Sequence, residues 1–283
     1  MNYKKLVIGV FLGGVILSLL LATSLQYKDK RTGGQRAVQG EAVGLVRIEG
    51  VLTEEAGNSW LSTPGNLQNI LDNLRKAQQD TEVQVVLLRI NSPGGSGAAG
   101  QEIAREVQRL KEAGKTVVVS MGETAASAGY LIAAGADRIV ANPATLTGSI
   151  GVYMEFANYQ ELFDKLGIES EIIKSGPYKD MGSYSRPLTE EERKIAQSMV
   201  NDTYQQFIDA VAAGRKEHIS REQLQEIADG RVLTGRQAQE LGLVDDLGNF
   251  YDAVQIAAEL AGLKEDPPIK EYGPRSRWSF LIP

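Results

Sequence analysis

Residues 83–121 read VQVVLLRINSPGGSGAAGQEIAREVQRLKEAGKTVVVSM. The opening VQVVLLRIN and the closing KTVVVSM are near-continuous apolar, β-branched runs, the pattern of strands buried on both faces. Between them GQEIAREVQRLKEAG carries its apolar residues at helical spacing. Strand, helix and strand in that order form a crossover unit, and such units join parallel strands. Upstream, AVGLVRIE (42–49) reads as another strand and NLQNILDNLRKAQ (66–78) as an amphipathic helix. The alternation predicts an α/β fold with a largely parallel, buried sheet.

Farther along, the chain is more helical. LTEEERKIAQSMVNDTYQQFIDAVAAGR (188–215) is long and amphipathic, with Thr189 as its N-cap and three glutamates near the positive end of the helix. Ser220 and Gln223 form a capping box that opens another helix. The apolar ESEII (169–173) reads as a short strand. Trp278, Phe280, Leu281 and Ile282 cluster at the C-terminus with no helix to bury them, so this tail is expected to dock on a neighbour.

Before the first strand lie twenty uncharged positions, Leu6 to Leu25, and about 20 apolar residues are what a helix needs to cross a bilayer. A secretory signal has an apolar core of about 7–15 residues and a small-x-small cleavage site, which favours a retained anchor here. Lys4 and Lys5 before the span favour an inside N-terminus, while Lys28, Lys30 and Arg31 behind it weaken that argument. The expected division is an N-terminal stub and membrane helix at 1–27, a polar tether at 28–40, a catalytic-size domain at 41–265 and a tail at 266–283.

Composition excludes several chemistries. The 283 residues contain no cysteine, hence no disulfide, no thiolate nucleophile and no cysteine-ligated zinc. A single histidine, His218, makes a zinc site improbable. The net charge of −6 opposes nucleic acid as a partner.

Ser127 lies in TAASAGY, after the strand TVVVSM and before LIAAGA, where small neighbours permit the sharp strand-to-helix turn of a nucleophile elbow. The alternative is an ordinary serine at a helix start. INSPGGSGAAG (90–100) holds Gly95, Gly97 and Gly100 in the spacing of a dinucleotide loop, with Glu123 downstream. It equally suits Gly94 and Gly95 as glycines that present backbone N–H groups to an oxyanion, or a purely structural turn. A serine nucleophile needs a base. His218 stands in a charged, exposed connection, which leaves lysine, and a lysine acts as base only when burial lowers its pKa. Lys174 and Lys179 in IIKSGPYKDMGS are the candidates, and the residues alone do not choose between them.

Taken together, INSPGGS (90–96), TAASAGYLIAAGADRIVANPATLTGSIGV (124–152), IIKSGPYKDMGSYSRPLTEEER (172–193) and ADGRVLTGRQAQELGLVDDLG (228–248) resemble the signal peptide peptidase A family of Ser-Lys peptidases, in its short, membrane-anchored form. The resemblance implies a ClpP/crotonase-like fold behind an N-terminal transmembrane helix. It implies Ser127 as nucleophile, Lys179 as general base, Ser149 as the residue that orients the lysine, and the N–H groups of Gly94 and Ala128 as oxyanion donors. Members usually carry glycine where this chain has Ala128, and a backbone donor survives that exchange. No cofactor or metal is implied. The implied substrates are remnant signal peptides, cut on the extracytoplasmic side of a bacterial membrane by a ring-forming homo-oligomer with sites between protomers. Rival readings are a membrane-bound protease with one membrane-protein substrate and a crotonase-type acyl-CoA-binding protein.

Overall fold

The computed structural model describes residues 42–54 and 67–273. The expected membrane helix and the apolar C-terminal cluster lie outside the described residues. Among those described, no helix is long and apolar enough to cross a membrane.

Strand β1 (Ala42–Glu49), helix α1 (Leu67–Gln79), β2 (Val83–Ser92), α2 (Gly97–Glu112) and β3 (Thr116–Ala126) follow the alternation read from the sequence. β1 pairs with β2 and β2 with β3, all parallel, in continuous register from Val43 opposite Val85 to Leu88 opposite Val119. Side chains alternate across this sheet. Val46, Ile48, Val86, Leu88, Ile90, Val117 and Val119 belong to the larger core, under α1 and α2. Val43, Leu45, Val85, Leu87 and Val118 face the opposite way, onto Ala253, Val254 and Ala257 of the C-terminal α8 (Phe250–Leu260). Burial on both faces is why the strands read as apolar runs.

β3 forks. Its residues Val118–Ser120 pair with β4 (Arg138–Ala141), and Thr124–Ala126 pair with β5 (Leu146–Gly148). Helix α3 (Ala128–Ala134) leaves β3 at Ser127. The antiparallel β6 (Val232–Thr234) and the short β7 (Asp246–Leu247) complete that side, with α6 (Arg221–Ile227) and α7 (Gly235–Glu240) around them. On the other edge β8 (Ile269–Tyr272) adds in parallel to β1, so residues beyond the expected domain end at 265 belong to the sheet.

The capping box at Ser220 forms as read, and the N-cap at Thr189 proves to be a capping box too. Thr189 and Glu192 exchange bonds at the head of α5 (Glu190–Gly214), and Ser220 and Gln223 do so at α6. ESEII, in contrast, makes no strand: residues 168–174 lie in irregular structure, with the Ile173 side chain 94% exposed. A strand needs a neighbour for its N–H and C=O groups, and among the described residues no strand pairs with that segment.

One buried ion pair fixes the layer beneath α3. Arg215 and Asp245, 1% and 2% exposed, meet at 2.7 Å and 3.1 Å, and the guanidinium also donates twice to the Gly242 carbonyl. The Tyr130 hydroxyl of α3 donates to the Leu243 carbonyl in the same loop at 2.8 Å. Burial pushes the Asp245 carboxyl up, but the Arg215 bond and charge, the Ile139 N–H and His218 outweigh it and hold the carboxyl below its ordinary value. A carboxyl with a depressed native pKa contributes stability above its unfolded pKa of about 3.9 and loses it as the pH falls toward the native value. Arg215→Met leaves a buried carboxylate unpaired, so it is expected to cost about 3–5 kcal/mol at pH 7. Urea midpoints measured at pH 7 and pH 5 check this: the gap to the wild type should narrow at the lower pH, as the unpaired carboxyl protonates.

Candidate active site

The decisive feature is the backbone at Ser127, where φ is 53° and ψ is −123°. A side chain is strained there, and such strain costs about 1–3 kcal/mol. What enforces it is the pairing on either side. Ala126 is the last residue of β3 and lies opposite Gly148, the last of β5, and the Ser127 N–H then donates to the Gly148 carbonyl at 2.9 Å. Immediately afterwards the Ser127 carbonyl accepts from Tyr130 and Leu131, so the chain has turned into α3. The hydroxyl makes no capping bond and is half-buried.

The same register brings the second serine close. Since Ala126 and Gly148 are partners, Ser127 and Ser149 leave neighbouring strands side by side. Ser149 also has a positive φ, 49°, and its N–H donates to the Arg231 carbonyl at 2.8 Å.

Gly94 packs directly against the turn, with φ 102°. A methyl group there would stand 2.8 Å from the Ser127 Cβ and 3.0 Å from the Ala128 nitrogen, which is why only glycine fits. Its N–H donates to Ser92 Oγ at 3.1 Å, and that hydroxyl donates in turn to the Gly50 carbonyl at 2.6 Å. Ala128 heads α3, where the first N–H groups have no partner within the helix. Gly95 reaches the cleft as well. The chain at Leu52 covers the glycines by donating to the Gly94 carbonyl and accepting from Ser96, and Ser96 Oγ caps Ala99 of α2. Backbone and cap thus occupy the turn where a dinucleotide loop would expose its N–H groups to a pyrophosphate.

A cleft of about 270 Å³ opens above Ser127 and Ala128. Leu131, Val152 and Phe207 give it apolar walls, and Ser96, Gln101, Tyr153 and Thr203 add polar side chains. Lys179 is not among its walls. That lysine is exposed on a turn, its N–H donating to the Gly176 carbonyl at 3.3 Å. Lys174 is engaged elsewhere, paired with Asp180 at 2.7 Å. His218 lies beside Asp245 at 3.5 Å, away from the cleft. Among the described residues no three His, Asp or Glu side chains converge as metal ligands would. Strand register and close packing thus bring Ser149 and Gly94 beside Ser127 and Ala128, and the cleft above them is lined without Lys179. Gly95 is the residue of this site that the sequence signalled only as half of a glycine pair.

A hydroxyl on a strained strand-to-helix turn, beside a helix-end N–H and under an apolar cleft, is a layout suited to acyl transfer. The comparisons with known proteins agree on that class. The model of peptidase family S49 matches residues 109–264, and the Clp protease model matches residues 64–147. A candidate protease of Synechocystis sp. is 47% identical over 191 residues, 68% of each chain. A candidate signal peptide peptidase SppA of Enterococcus faecium is 35% identical over 278 residues, 90% of this chain and 80% of that one. Among solved structures, a membrane-bound stomatin-specific protease shares the fold, with a TM-score of 0.52 at 16% identity over 84% of this chain and 100% of the other.

The chain belongs to peptidase family S49, the signal peptide peptidase A family, and is a serine protease. Its core is a mixed α/β sheet, and the Clp protease model matches residues 64–147 of it.

The strain at Ser127 is measurable. Glycine adopts this backbone freely and alanine does not, so Ser127→Gly should be more stable than Ser127→Ala by about 1 kcal/mol, against the usual ordering of the two residues. Thermal melts of the two variants read this directly, and equal stability would mean that the turn stores no strain.

Proposed function

We propose that this protease is a membrane-anchored endopeptidase with Ser127 as nucleophile and Lys179 as general base. On this reading it hydrolyses remnant signal peptides and other apolar peptides on the extracytoplasmic face of a bacterial cell membrane. The observation that carries the proposal is the strained turn at Ser127, which presents a free hydroxyl to an apolar cleft. Leu131 and Phe207, with the small Gly97 beside them, suit a small or apolar side chain next to the cut.

In the reaction, neutral Lys179 removes the proton of Ser127 Oγ, and the oxygen attacks the peptide carbonyl carbon. The Ala128 N–H stabilises the oxyanion, and Gly94 joins it when its N–H turns away from Ser92 Oγ. Collapse expels the amine, which takes the proton from the lysine ammonium. Water, deprotonated by the same lysine, then attacks the acyl-serine and frees the enzyme. Ser149 orients the ammonium.

Lysine is the demanding partner. A lysine serves as a base only where water is removed from it, and Lys179 is exposed. The segment around it is also uncovered: α4 (Gln160–Leu166) buries no residue, and Leu162, Leu166 and Ile168 face solvent. On this reading the second copy in a ring covers this arm, removes water from Lys179 and receives it beside its own Ser127.

Hydrolysis of a fluorogenic apolar peptide by the full chain in detergent tests this. Ser127→Ala and Lys179→Ala are each expected to lose at least about a thousandfold in kcat. Mixed, the two inactive variants should recover about a quarter of wild-type activity, the share of contacts between copies that join an intact serine to an intact lysine. Recovery would establish a dyad between copies. Activity in either variant alone would overturn the assignment.

A further inference from the structure

The arm that carries Lys179 is irregular and largely exposed, yet one point on it is fastened. Asp180, the residue after the lysine, has a side chain only 9% exposed, and Glu192 in the first turn of α5 is 1% exposed. Arg186 joins them. Its Nε donates to Asp180 Oδ2 at 2.9 Å, and its Nη1 and Nη2 grip both oxygens of Glu192 at 2.8 Å and 2.6 Å. The remaining donor capacity reaches the Pro187 and Asp180 carbonyls. Lys174 closes the loop from the other side, with Nζ at 2.7 Å from Asp180 Oδ1 and 3.2 Å from the Pro177 carbonyl. Glu192 meanwhile accepts the Thr189 N–H as half of the capping box, so the grip ends on the helix itself.

We propose that Arg186, Asp180 and Glu192 are positioning residues for Lys179: they fix the lysine arm to the head of α5, which farther along walls the Ser127 cleft with Thr203 and Phe207. The proposal rests on the reading of Ser127 and Lys179 given above. From Glu192 to Thr203 is eleven residues of one helix, about 16 Å. A single rigid element thus sets the spacing between the lysine a chain holds out and the serine cleft it keeps.

The charges favour a grip of this kind over a loose surface contact. An exposed ion pair positions little, because solvent screens it and two long side chains must be ordered. Here the guanidinium binds one carboxylate through both oxygens and bridges it to a second, a geometry that lysine does not reproduce. Arg186 first and Lys174 second hold the Asp180 carboxyl far below the usual range, and Arg186 and the Thr189 N–H bring Glu192 down to about 2. Both carboxylates are therefore charged at any working pH, and without Arg186 they would repel each other beside the lysine.

The test uses the full chain in detergent and the fluorogenic peptide. A base displaced by about 1 Å costs up to about 100-fold in rate, so Arg186→Gln should lower kcat by that order while KM stays within about twofold. Arg186→Lys should recover only part of the loss. Subunit mixing then locates the defect. Arg186→Gln mixed with Ser127→Ala should regain activity, because the second chain supplies an intact lysine arm to the first chain's serine. Mixed with Lys179→Ala it should not. The reverse pattern would place the effect in the cleft of the same chain and overturn the proposal, as would an unchanged kcat. If Arg186→Gln does not fold, the isosteric Asp180→Asn is expected to give the same mixing pattern. If Ser127→Ala with Lys179→Ala fails to regain activity, the dyad closes within one chain, and the kcat of Arg186→Gln against Arg186→Lys decides alone. Full activity in Lys179→Ala overturns both readings, whereas loss there with wild-type kcat in Arg186→Gln overturns only this one.

Discussion

The rest of the site depends on a backbone conformation that serine does not adopt by choice. At φ 53° the Ser127 turn persists because the pairing of β3 with β5 ends on both strands at the same level, because Gly94 has no Cβ, and because α3 starts at once. Each of these is a constraint from outside residue 127. The cost of about 1–3 kcal/mol is supported by a parallel sheet buried on both faces, and it keeps the hydroxyl clear of the cap bond that a serine at a helix start ordinarily makes.

Two ionic clusters divide the remaining work. Arg215 and Asp245 are fully enclosed and immobilise the loop under Tyr130, so α3 cannot shift and relax the turn. Arg186 with Asp180 and Glu192 sits at the surface end of α5, where packing is thin and a directional contact is the available means of ordering a loop. Buried pairs are weak evidence for stability but strong determinants of geometry. The first pair maintains a fold; the second orders a segment whose Leu162, Leu166, Ile168 and Ile173 face solvent.

How legible this was from sequence follows the range of the forces. β1 was readable to the residue, and the capping residues Thr189 and Ser220 were visible, because alternation and caps are local. The α/β class followed from apolar runs that only a doubly covered sheet explains. Ser127 was visible as a candidate through its small neighbours, but its choice over an ordinary helix start needed the resemblance across four blocks. What was hidden depends on distant partners. The fork in β3, the encounter of Ser127 with Ser149 and the Arg215–Asp245 pair join residues far apart in the chain. ESEII was misread as a strand because apolar, β-branched residues carry the same signal whether they pair in a sheet or wait uncovered.

The edge strand β8 has one more consequence. Residues 269–272 lie against residues 43–46, so the first strand of the sheet stays unpaired on one side until residues 269–272 reach it. Contacts this far apart are slow to form, and an open parallel edge invites pairing with other chains in the meantime. Lys270 and Tyr272 then lock the late strand to Asp80, at the turn before β2. Arrival of β8 is thus the event that seals this edge of the sheet, and until then the edge of β1 is open to other chains.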